Sequence, residues 1–416
     1  MKTSILCASV FLLAGSTLAF IPIDFSSDAA ETRVTAAAQT APPNADPAQM
    51  EMAPADLALL AAANTASGVL SPSAMDPRNA PNAQPAPYAS DAHFFKLPPG
   101  RKMGATSGVA VDSQGHIWVA DRCGTTDCAG SSIDPIMEFD SQGNYLKSFG
   151  AGRFIFPHGF SIDSHDHVWV TDSGCTNPPG VVRTPAFLAA CTNGHVGDGK
   201  GNEVVEFGQD GKVLLTLGIP GVVGSGPTKF DAPSAVQIAA NGNIFVSDSH
   251  DAGVTNNARV VKFDSTGRFV QEWGTHGIAG GQFDGPHCLA IDSKDRLYVG
   301  DRWNNRIQVF DQDGRLLQIL TQFGRPSGIY IDKNDVLYAT DSESRVPYGY
   351  GYHPGWSRGV RIGSVSDGIV TAFIPDTEKD TTNMTSSGGE GVWADNNGVV
   401  YSAEPRQRDV VRYVRN

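Results

Sequence analysis

Two histidines and one glutamate of this chain occupy the same position in a recurring sequence pattern. His158 and His287 each follow a proline, and each lies five residues before an aspartate. Glu390 also lies five residues before an aspartate. Two imidazoles and one carboxylate are a common ligand set for catalytic zinc or iron, with a coordination position left open for water or substrate. The three side chains are therefore candidate ligands of one divalent metal.

A second recurring position directly follows an aspartate that ends an apolar segment. It holds Arg122 and Arg302, and in another copy of the pattern His250 lies one residue further along. Arginine binds a carboxylate through two parallel hydrogen bonds, so these residues suit a small-molecule or peptide substrate that carries a carboxylate. The alternative is that the arginines form salt bridges at the surface or between repeats.

These positions belong to a repeat that occurs six times in the chain. Its copies share alternating apolar residues and two aspartates, most clearly in Gly108–Asp121, Gly159–Asp172, Cys288–Asp301 and Gly328–Asp341, and more weakly in Ala235–Asp248 and Gly391–Ala403. Each copy continues into further strands bounded by turn residues such as Asp-Gly. Six copies of four short strands predict an all-β fold, a six-bladed β-propeller, and the motif resembles that of NHL-repeat propellers.

The candidate ligands alternate with small residues around the predicted ring. The six occupants of the first recurring position, in chain order, are Ser107, His158, Ser234, His287, Ser327 and Glu390. Alternate blades of a six-bladed ring are related by about 120°, so the three larger side chains should converge on the axis. The alternative is that they only satisfy hydrogen bonds in the loops.

The last repeat ends at the C-terminus after three strands, which would leave an unpaired strand edge in the ring. Exposed edges invite aggregation, and propellers avoid them by closing the ring. The segment His93–Leu97 is predicted to supply the missing strand. The propeller is accordingly assigned to residues 91–416.

The N-terminus has the features of an export signal. Residues 1–19 contain a lysine, a short apolar segment and small residues near a cleavage site, which we place after Ala19. Residues 20–90 are rich in Ala, Pro, Asp and Ser and predict a flexible tether. No later segment has about 18 unbroken apolar residues, so no membrane span is expected. The protein should be secreted or periplasmic, and a monomer.

Export makes disulfides possible. Spacing favours the pairs Cys123–Cys128 and Cys175–Cys191, and it leaves Cys288 as a buried, inert thiol. The formal net charge of -13 argues against nucleic acid as a partner, because phosphate binding needs clustered Lys and Arg.

The same residues resemble peptidyl-α-hydroxyglycine α-amidating lyase, the second catalytic domain of peptide-amidating enzymes. The similarity covers about residues 104–416 and is densest from Phe156 to Asp172 and from Gly281 to Phe310. That family holds a catalytic zinc with three histidines, of which His158 and His287 match two, and Arg122 and Arg302 match its two active-site arginines. The resemblance implies cleavage of a peptidyl-α-hydroxyglycine into an amide and glyoxylate, with zinc as the expected cofactor.

Three positions depart from that family. The third zinc histidine is replaced by Glu390, which adds negative charge to the metal. The catalytic tyrosine of the family falls near His250, so the proposed base would be an imidazole. The calcium-binding aspartate of the family is replaced by Gly391, so structural calcium is not supported. Two long insertions, Cys175–Asn202 and Val346–Arg361, could reshape the channel mouth, and Tyr348, Tyr350, Tyr352 and Trp356 in the second could stack on a ligand or only pack as a lid.

The sequence leaves more than one functional hypothesis open. The first is a metal-dependent lyase of the amidating type, or a relative that acts on another small α-hydroxy substrate. The second is a non-catalytic NHL propeller that binds protein or glycan outside the cytoplasm, since a propeller alone does not define a function. A lactonase is a third hypothesis, but such propellers usually bind calcium through carboxylates and amides, which a histidine-rich centre does not favour.

Overall fold

The computed structural model describes residues 82–175, 199–250, 257–345, 351, 353–378, 380, 382 and 386–416, and these residues form 24 β-strands and no helix. The strands make six antiparallel four-stranded sheets. The predicted six-bladed propeller is thereby confirmed.

Each blade runs from an innermost strand at the axis to an outermost strand at the edge of the ring. Blade 1 consists in this order of β2 (Thr106–Val111), β3 (Ile117–Asp121), β4 (Ile136–Phe139) and β5 (Tyr145–Phe149). Blade 2 consists of β6 (Pro157–Ile162), β7 (Val168–Asp172), β8 (Glu203–Phe207) and β9 (Val213–Gly218). Blade 3 consists of β10 (Pro233–Ile238), β11 (Ile244–Asp248), β12 (Arg259–Phe263) and β13 (Phe269–Trp273).

The second half of the ring repeats this order. Blade 4 consists of β14 (Pro286–Ile291), β15 (Leu297–Asp301), β16 (Arg306–Phe310) and β17 (Leu316–Leu320). Blade 5 consists of β18 (Pro326–Ile331), β19 (Val336–Asp341), β20 (Gly359–Ser364) and β21 (Val370–Pro375). Blade 6 consists of β22 (Gly391–Ala394), β23 (Val400–Glu404), β24 (Asp409–Arg415) and β1 (Tyr88–Asp91). The ring is closed, because β2 contacts both β6 and β22, and the other innermost strands contact their neighbours in turn.

The first aspartate of the repeat shapes the turn between the first and second strands. In blade 2 the Oδ1 atom of Asp163 accepts hydrogen bonds from the backbone N–H groups of His165 (2.8 Å) and His167 (3.0 Å), and its Oδ2 accepts one from Trp169 Nε1 (3.0 Å). Asp112 makes the equivalent bonds in blade 1. Such side-chain-to-backbone bonds are the reason that aspartate is favoured at tight turns.

Apolar side chains fill the spaces between neighbouring blades. One buried cluster contains Trp118 of blade 1 with Phe207 of blade 2, and the next contains Trp169 of blade 2 with Ile244 of blade 3. Their burial between sheets is the main stabilising contribution to the ring, because each sheet has two apolar faces to cover.

The strand that closes blade 6 differs from the prediction. β1 pairs with β24, with Tyr88 opposite Arg415 and Asp91 opposite Arg412, whereas His93–Leu97 was expected to form this strand. That expectation was wrong. Phe95 is instead buried against Phe139 of blade 1, with 4.8 Å between ring centroids. The closing strand is mostly exposed and therefore lacks the apolar alternation that marks the other strands.

The structure tests the predicted cysteine chemistry in part. The Cys123–Cys128 disulfide is confirmed, and both cysteines lie in the connection between β3 and β4. Cys288 is a buried free thiol, as expected. Cys175 is disulfide-bonded, but its predicted partner Cys191 lies outside the described residues.

Three tyrosines of the second insertion, Tyr348, Tyr350 and Tyr352, also lie outside the described residues. Within the described part of the chain, no helix is long and apolar enough to cross a membrane.

Candidate metal centre

The ligand-type residues lie at a backbone irregularity where the innermost strand of a blade begins. In blade 4 the pairing register shifts between Pro286 and Cys288, so His287 lies at a β-bulge, and the register also shifts around His158 in blade 2. A bulge redirects the side chain that it contains and is often found beside active sites. The same irregularity recurs at Ser107, Ser234 and Ser327, so this sequence position lies at a bulge in blades 1 to 5. In blade 6, Glu390 directly precedes β22, whose pairing with β23 is regular.

A buried aspartate at the end of the second strand fixes the start of the first. In blade 2, Asp172 accepts hydrogen bonds from the backbone N–H groups of Ile155 and Phe156, both at 2.8 Å, directly before His158. In blade 4, Asp301 accepts one from Asp284 N at 2.7 Å. The second aspartate of the repeat therefore positions the segment that carries the candidate ligand.

The two histidines are oriented by backbone carbonyls of the next blade. His158 Nδ1 lies 2.8 Å from Ser234 O, and His287 Nδ1 lies 2.7 Å from Ser327 O. A carbonyl only accepts hydrogen bonds, so each Nδ1 must carry the proton. In the neutral imidazole this leaves the lone pair on Nε2, and hydrogen bonds of this kind orient metal-binding histidines in many proteins.

The Nε2 atoms of both histidines meet at one carboxylate oxygen. Glu390 Oε1 lies 3.0 Å from His158 Nε2 and 3.2 Å from His287 Nε2, while Oε2 accepts a hydrogen bond from Ser342 Oγ at 3.3 Å. The two imidazole rings lie at 89° to each other, with centroids 4.6 Å apart. Side chains from blades 2, 4 and 6 thus converge on a common point, as the alternation in the sequence requires.

The donor set fits a divalent metal. Burial, followed by the charge of Arg302, holds the pKa of His287 well below its usual value, so this imidazole is neutral near pH 7. Burial alone would raise the pKa of Glu390, but the closeness of His158 and His287 and the charge of Arg302 hold it well below its usual range. His287 Nε2 is also buried without a hydrogen bond of acceptable geometry. Buried acceptor atoms that face one another repel, and a cation between them would remove that cost.

His250 lies beside the three predicted ligands. Its ring centroid is 4.6 Å from that of His158 and 5.1 Å from that of His287, and one ring nitrogen lies within 4.8 Å of the ligand atoms of the other three residues. Burial, together with the nearby His158 and Arg302, holds the pKa of His250 well below its usual value. A neutral imidazole in this position can accept a proton or act as a fourth ligand.

The two predicted arginines have different partners. Arg302 Nη1 lies 3.4 Å from Glu343 Oε1 and 3.6 Å from Glu390 Oε1, and Nη2 donates a hydrogen bond to His250 O at 3.0 Å. The salt-bridge alternative therefore holds for Arg302. Arg122 instead lies over the ring of Phe156, 3.7 Å from its centroid, and has no carboxylate partner in the described residues. Burial lowers its pKa to about 10, so it remains a cation at neutral pH.

A cavity of about 490 Å³ opens beside this group of residues. Its charged lining consists of four arginines and two glutamates, Arg122, Arg302, Arg406, Arg408, Glu343 and Glu390, with His250 beside them. The sequence interpretation missed Glu343, Arg406 and Arg408. All three lie in connections that follow a second strand, which is the position that also identified Arg122 and Arg302. A smaller cavity of about 90 Å³ lies along the axis, and its lining includes Ser107, Ser234 and Ser327.

Two other acidic and histidine groups lie at the far ends of blades 1 and 2. His116 Nδ1 is 2.7 Å from Glu138 Oε1, and His167 Nδ1 is 2.7 Å from Glu206 Oε1, each with the turn aspartate close by. In blade 4 the corresponding residue is Arg296, which pairs with Asp292 at 2.6 Å. The same position of the repeat thus holds a histidine or an arginine beside the turn aspartate in blades 1, 2 and 4, which accounts for these histidines without a metal.

Comparisons with known proteins agree with this fold. Residues 107–125 and 283–310 match the NHL repeat family, and these ranges contain Arg122, His287 and Arg302. NHL repeat-containing protein 3 of Mus musculus is 30% identical over 217 residues, which cover 50% of this chain and 53% of that protein.

Two further relatives carry the name of the amidating enzymes. A probable peptidyl-alpha-hydroxyglycine alpha-amidating lyase of Caenorhabditis elegans is 28% identical over 229 residues, 51% of this chain and 57% of that protein. Peptidyl-glycine alpha-amidating monooxygenase A of Xenopus laevis is 30% identical over 302 residues, 66% of this chain and 28% of that protein. The chain spans about half the length of the first of these relatives and less of the second. The chain is a six-bladed β-propeller that contains matches to the NHL repeat and is similar to proteins named as peptidyl-alpha-hydroxyglycine alpha-amidating lyases.

Proposed function

We propose that this protein is a metal-dependent lyase that breaks the C–N bond of a peptidyl-α-hydroxyglycine to give an amide and glyoxylate, or that acts on a related small α-hydroxy substrate. The observation that carries the proposal is that His158 Nε2 and His287 Nε2 lie 3.0 and 3.2 Å from Glu390 Oε1, at the edge of a cationic cavity. The relatives named as amidating lyases support the reaction type.

His158, His287 and Glu390 would hold the metal, for which zinc is the expected ion because the donor atoms are nitrogen and carboxylate oxygen. When bound, the metal would supply Lewis acidity toward the substrate hydroxyl. Glu390, in place of a third histidine, adds a negative charge that weakens this acidity. Arg302 lies 3.6 Å from Glu390 and offsets part of that charge.

Arg122 would bind the substrate carboxylate. Its guanidinium is buried on Phe156 at the cavity wall, and a buried cation without a carboxylate partner gains from a ligand that completes the pair. The bidentate contact would orient the carbon that bears the hydroxyl toward His250 and the metal ligands.

His250 is the proposed base. Its imidazole is neutral near pH 7 and would accept the proton of the substrate hydroxyl. As the hydroxyl carbon becomes the aldehyde of glyoxylate, the electron pair of the C–N bond goes to the amide nitrogen. The imidazolium then returns the proton to that nitrogen, so atoms and charge balance.

The test combines metal analysis with a glyoxylate-release assay on an α-hydroxyglycine peptide. We expect about one zinc per chain and glyoxylate release in the wild type, and loss of both in Glu390→Ala and His158→Ala. His165→Ala is the matched control, because His165 is exposed on a turn at the far end of the same blade. Wild-type protein that carries no stoichiometric metal after mild purification would disprove the proposal.

A second candidate function is a non-catalytic NHL propeller that binds protein or glycan. The relative named NHL repeat-containing protein 3, at 30% identity, favours this alternative. It predicts no glyoxylate release and unchanged biological function in His158→Ala and Glu390→Ala, which is the opposite of the result expected for the lyase.

The proposed location is outside the cytoplasm. The Cys123–Cys128 disulfide supports it, because disulfides persist in oxidising compartments. N-terminal sequencing of the protein recovered from the medium or periplasm should begin at Phe20.

A further inference from the structure

The cavity carries more positive charge than one substrate carboxylate would neutralise. Arg302 is paired with both lining glutamates, whereas Arg122, Arg406 and Arg408 have no carboxylate partner in the described part of the chain. This local excess occurs in a protein with a formal net charge of -13. Clefts lined by one sign of charge concentrate ligands of the opposite sign.

The two arginines at the cavity mouth, Arg406 and Arg408, are held there by the residue between them. Gln407 Nε2 donates a hydrogen bond to Ser387 O at 2.9 Å, and Gln407 Oε1 accepts one from Ser387 N at 3.2 Å. Ser387 precedes Glu390 in the segment that leads to the metal ligand. The connection between β23 and β24 is therefore tied to the candidate centre, and its two arginines border the same cavity as Arg122.

Arg408 stands in a backbone conformation that does not favour arginine. Its φ is 55°, and it directly precedes the third strand of blade 6. The same position in blades 2 and 4 holds Asn202 and Asn305, with φ of 57° and 52°. Asparagine tolerates this left-handed region better than most residues, so an arginine there lowers local stability. The positive charge that Arg408 places at the cavity mouth can account for arginine at this position.

We propose that Arg406 and Arg408 form an anion subsite that selects substrates with a second carboxylate, on the amide side of the bond that is cleaved. In a peptide substrate this group is the side chain of an acidic residue that precedes the α-hydroxyglycine. The proposal rests on the proposed lyase function for its substrate. Arg122, deeper in the cavity, binds the carboxylate of the hydroxyglycine, and the pair at the mouth binds the group that extends toward solvent.

The experiment compares kcat/KM for N-acetyl-Glu-α-hydroxyglycine, N-acetyl-Gln-α-hydroxyglycine and N-acetyl-Lys-α-hydroxyglycine. The wild type should prefer the Glu peptide over the Gln peptide about tenfold and cleave the Lys peptide most slowly, because each exposed ion pair contributes modestly. The preference should fall with added salt. The double variant Arg406→Gln/Arg408→Asn should lose the preference, so that its kcat/KM values for the Glu and Gln peptides become equal. Asparagine is chosen because blades 2 and 4 already carry it.

The control variant is Arg415→Gln, an exposed arginine on β24 outside the cavity, which should keep the preference. A wild type that cleaves the Glu and Gln peptides equally well overturns the subsite and leaves the lyase intact. Titration calorimetry with N-acetyl-Glu-Gly and N-acetyl-Gln-Gly, which lack the hydroxyl, separates the two proposals. Tighter binding of the Glu dipeptide that disappears in the double variant, without turnover of any peptide, supports the subsite and rejects the lyase. Equal binding and no turnover reject both.

Discussion

Arg122 and Arg302 occupy the same position of the repeat, but the neighbouring blade gives them different roles. Arg302 of blade 4 faces blade 5, where Glu343 lies two residues after the buried Asp341. Arg122 of blade 1 faces blade 2, where the equivalent residue is Gly174. Blade 5 therefore provides a carboxylate partner for Arg302, whereas blade 2 has a glycine at the equivalent position beside Arg122. The role of each arginine depends on the adjacent repeat as well as on its own.

Glu404 replaces aspartate at the end of the second strand of blade 6 and gives a pH-dependent prediction. Burial raises the pKa of its carboxyl from 4.5 to about 8, and Tyr413 donates a hydrogen bond to its Oε1 at 3.0 Å. The folded protein therefore keeps this proton when the unfolded chain has lost it. Stability from this group is complete below about pH 4.5 and decreases as the pH rises toward 8.

Glu404→Gln should remove this dependence, because glutamine resembles the protonated acid and still accepts the hydrogen bond. The melting temperature of the variant relative to wild type should increase progressively between pH 4.5 and 8, as measured by calorimetry. Glu138→Gln is the comparison, since Glu138 pairs with Lys147 at 2.9 Å and its neutralisation should destabilise the protein. A constant difference across this range for Glu404→Gln would contradict the prediction.

At the scale of single strands, the repeat made the inner part of each blade predictable. The first aspartate of the repeat shapes the turn between the first two strands, and the second fixes the segment that carries the candidate ligand. Both aspartates can be aligned directly in the sequence. The positions of His158, His287 and Glu390 on the axis followed from this alignment. The alignment also identified His250, one residue beyond the position of Arg122 and Arg302. Its distance from the candidate ligands could not be predicted, because His250 lies beyond the end of β11, where the connections of the blades differ in length.

Asp172 should connect the strand framework to the metal site. It accepts backbone hydrogen bonds from Ile155, Phe156 and Gly174, so Asp172→Ala leaves two buried N–H groups and one half-buried N–H group unpaired. We expect a loss of about 2–4 kcal/mol in the free energy of unfolding, and weaker zinc binding because the segment before His158 is released. Denaturant unfolding and competitive zinc titration of the folded variant measure the two effects.

Asp163→Ala is the matched control in the same blade. It also removes three hydrogen bonds, those from His165 N, His167 N and Trp169 Nε1, but at the opposite end of the strands. We expect a smaller destabilisation, because these donors are exposed or half-buried, and unchanged zinc affinity. If both variants lose zinc affinity equally, the effect is one of general stability and Asp172 has no specific role at the site.

For the whole molecule, ring closure joins the two ends of the described chain. Asn416 N donates a hydrogen bond to Pro87 O at 2.8 Å, and Phe373 N of blade 5 donates one to Pro85 O at 3.0 Å. The number of blades was predictable because the copies could be counted. The closing strand was not, because an exposed outer strand needs backbone partners but no apolar side chains, and four residues of this kind carry no recognisable pattern.

Removal of the closing strand tests this account of the ring. A chain that begins at His93 lacks β1 and leaves the outer edge of β24 unpaired, whereas a chain that begins at Asn82 keeps the strand. We expect the shorter chain to melt about 5–10 °C lower and to self-associate through the open edge. The longer chain should melt as the full protein does and show no added self-association. Calorimetry and light scattering measure both properties. Because Phe95 and its contacts remain in the shorter chain, equal melting temperatures would show that these side chains, and not the backbone pairing of β1, hold the ring closed.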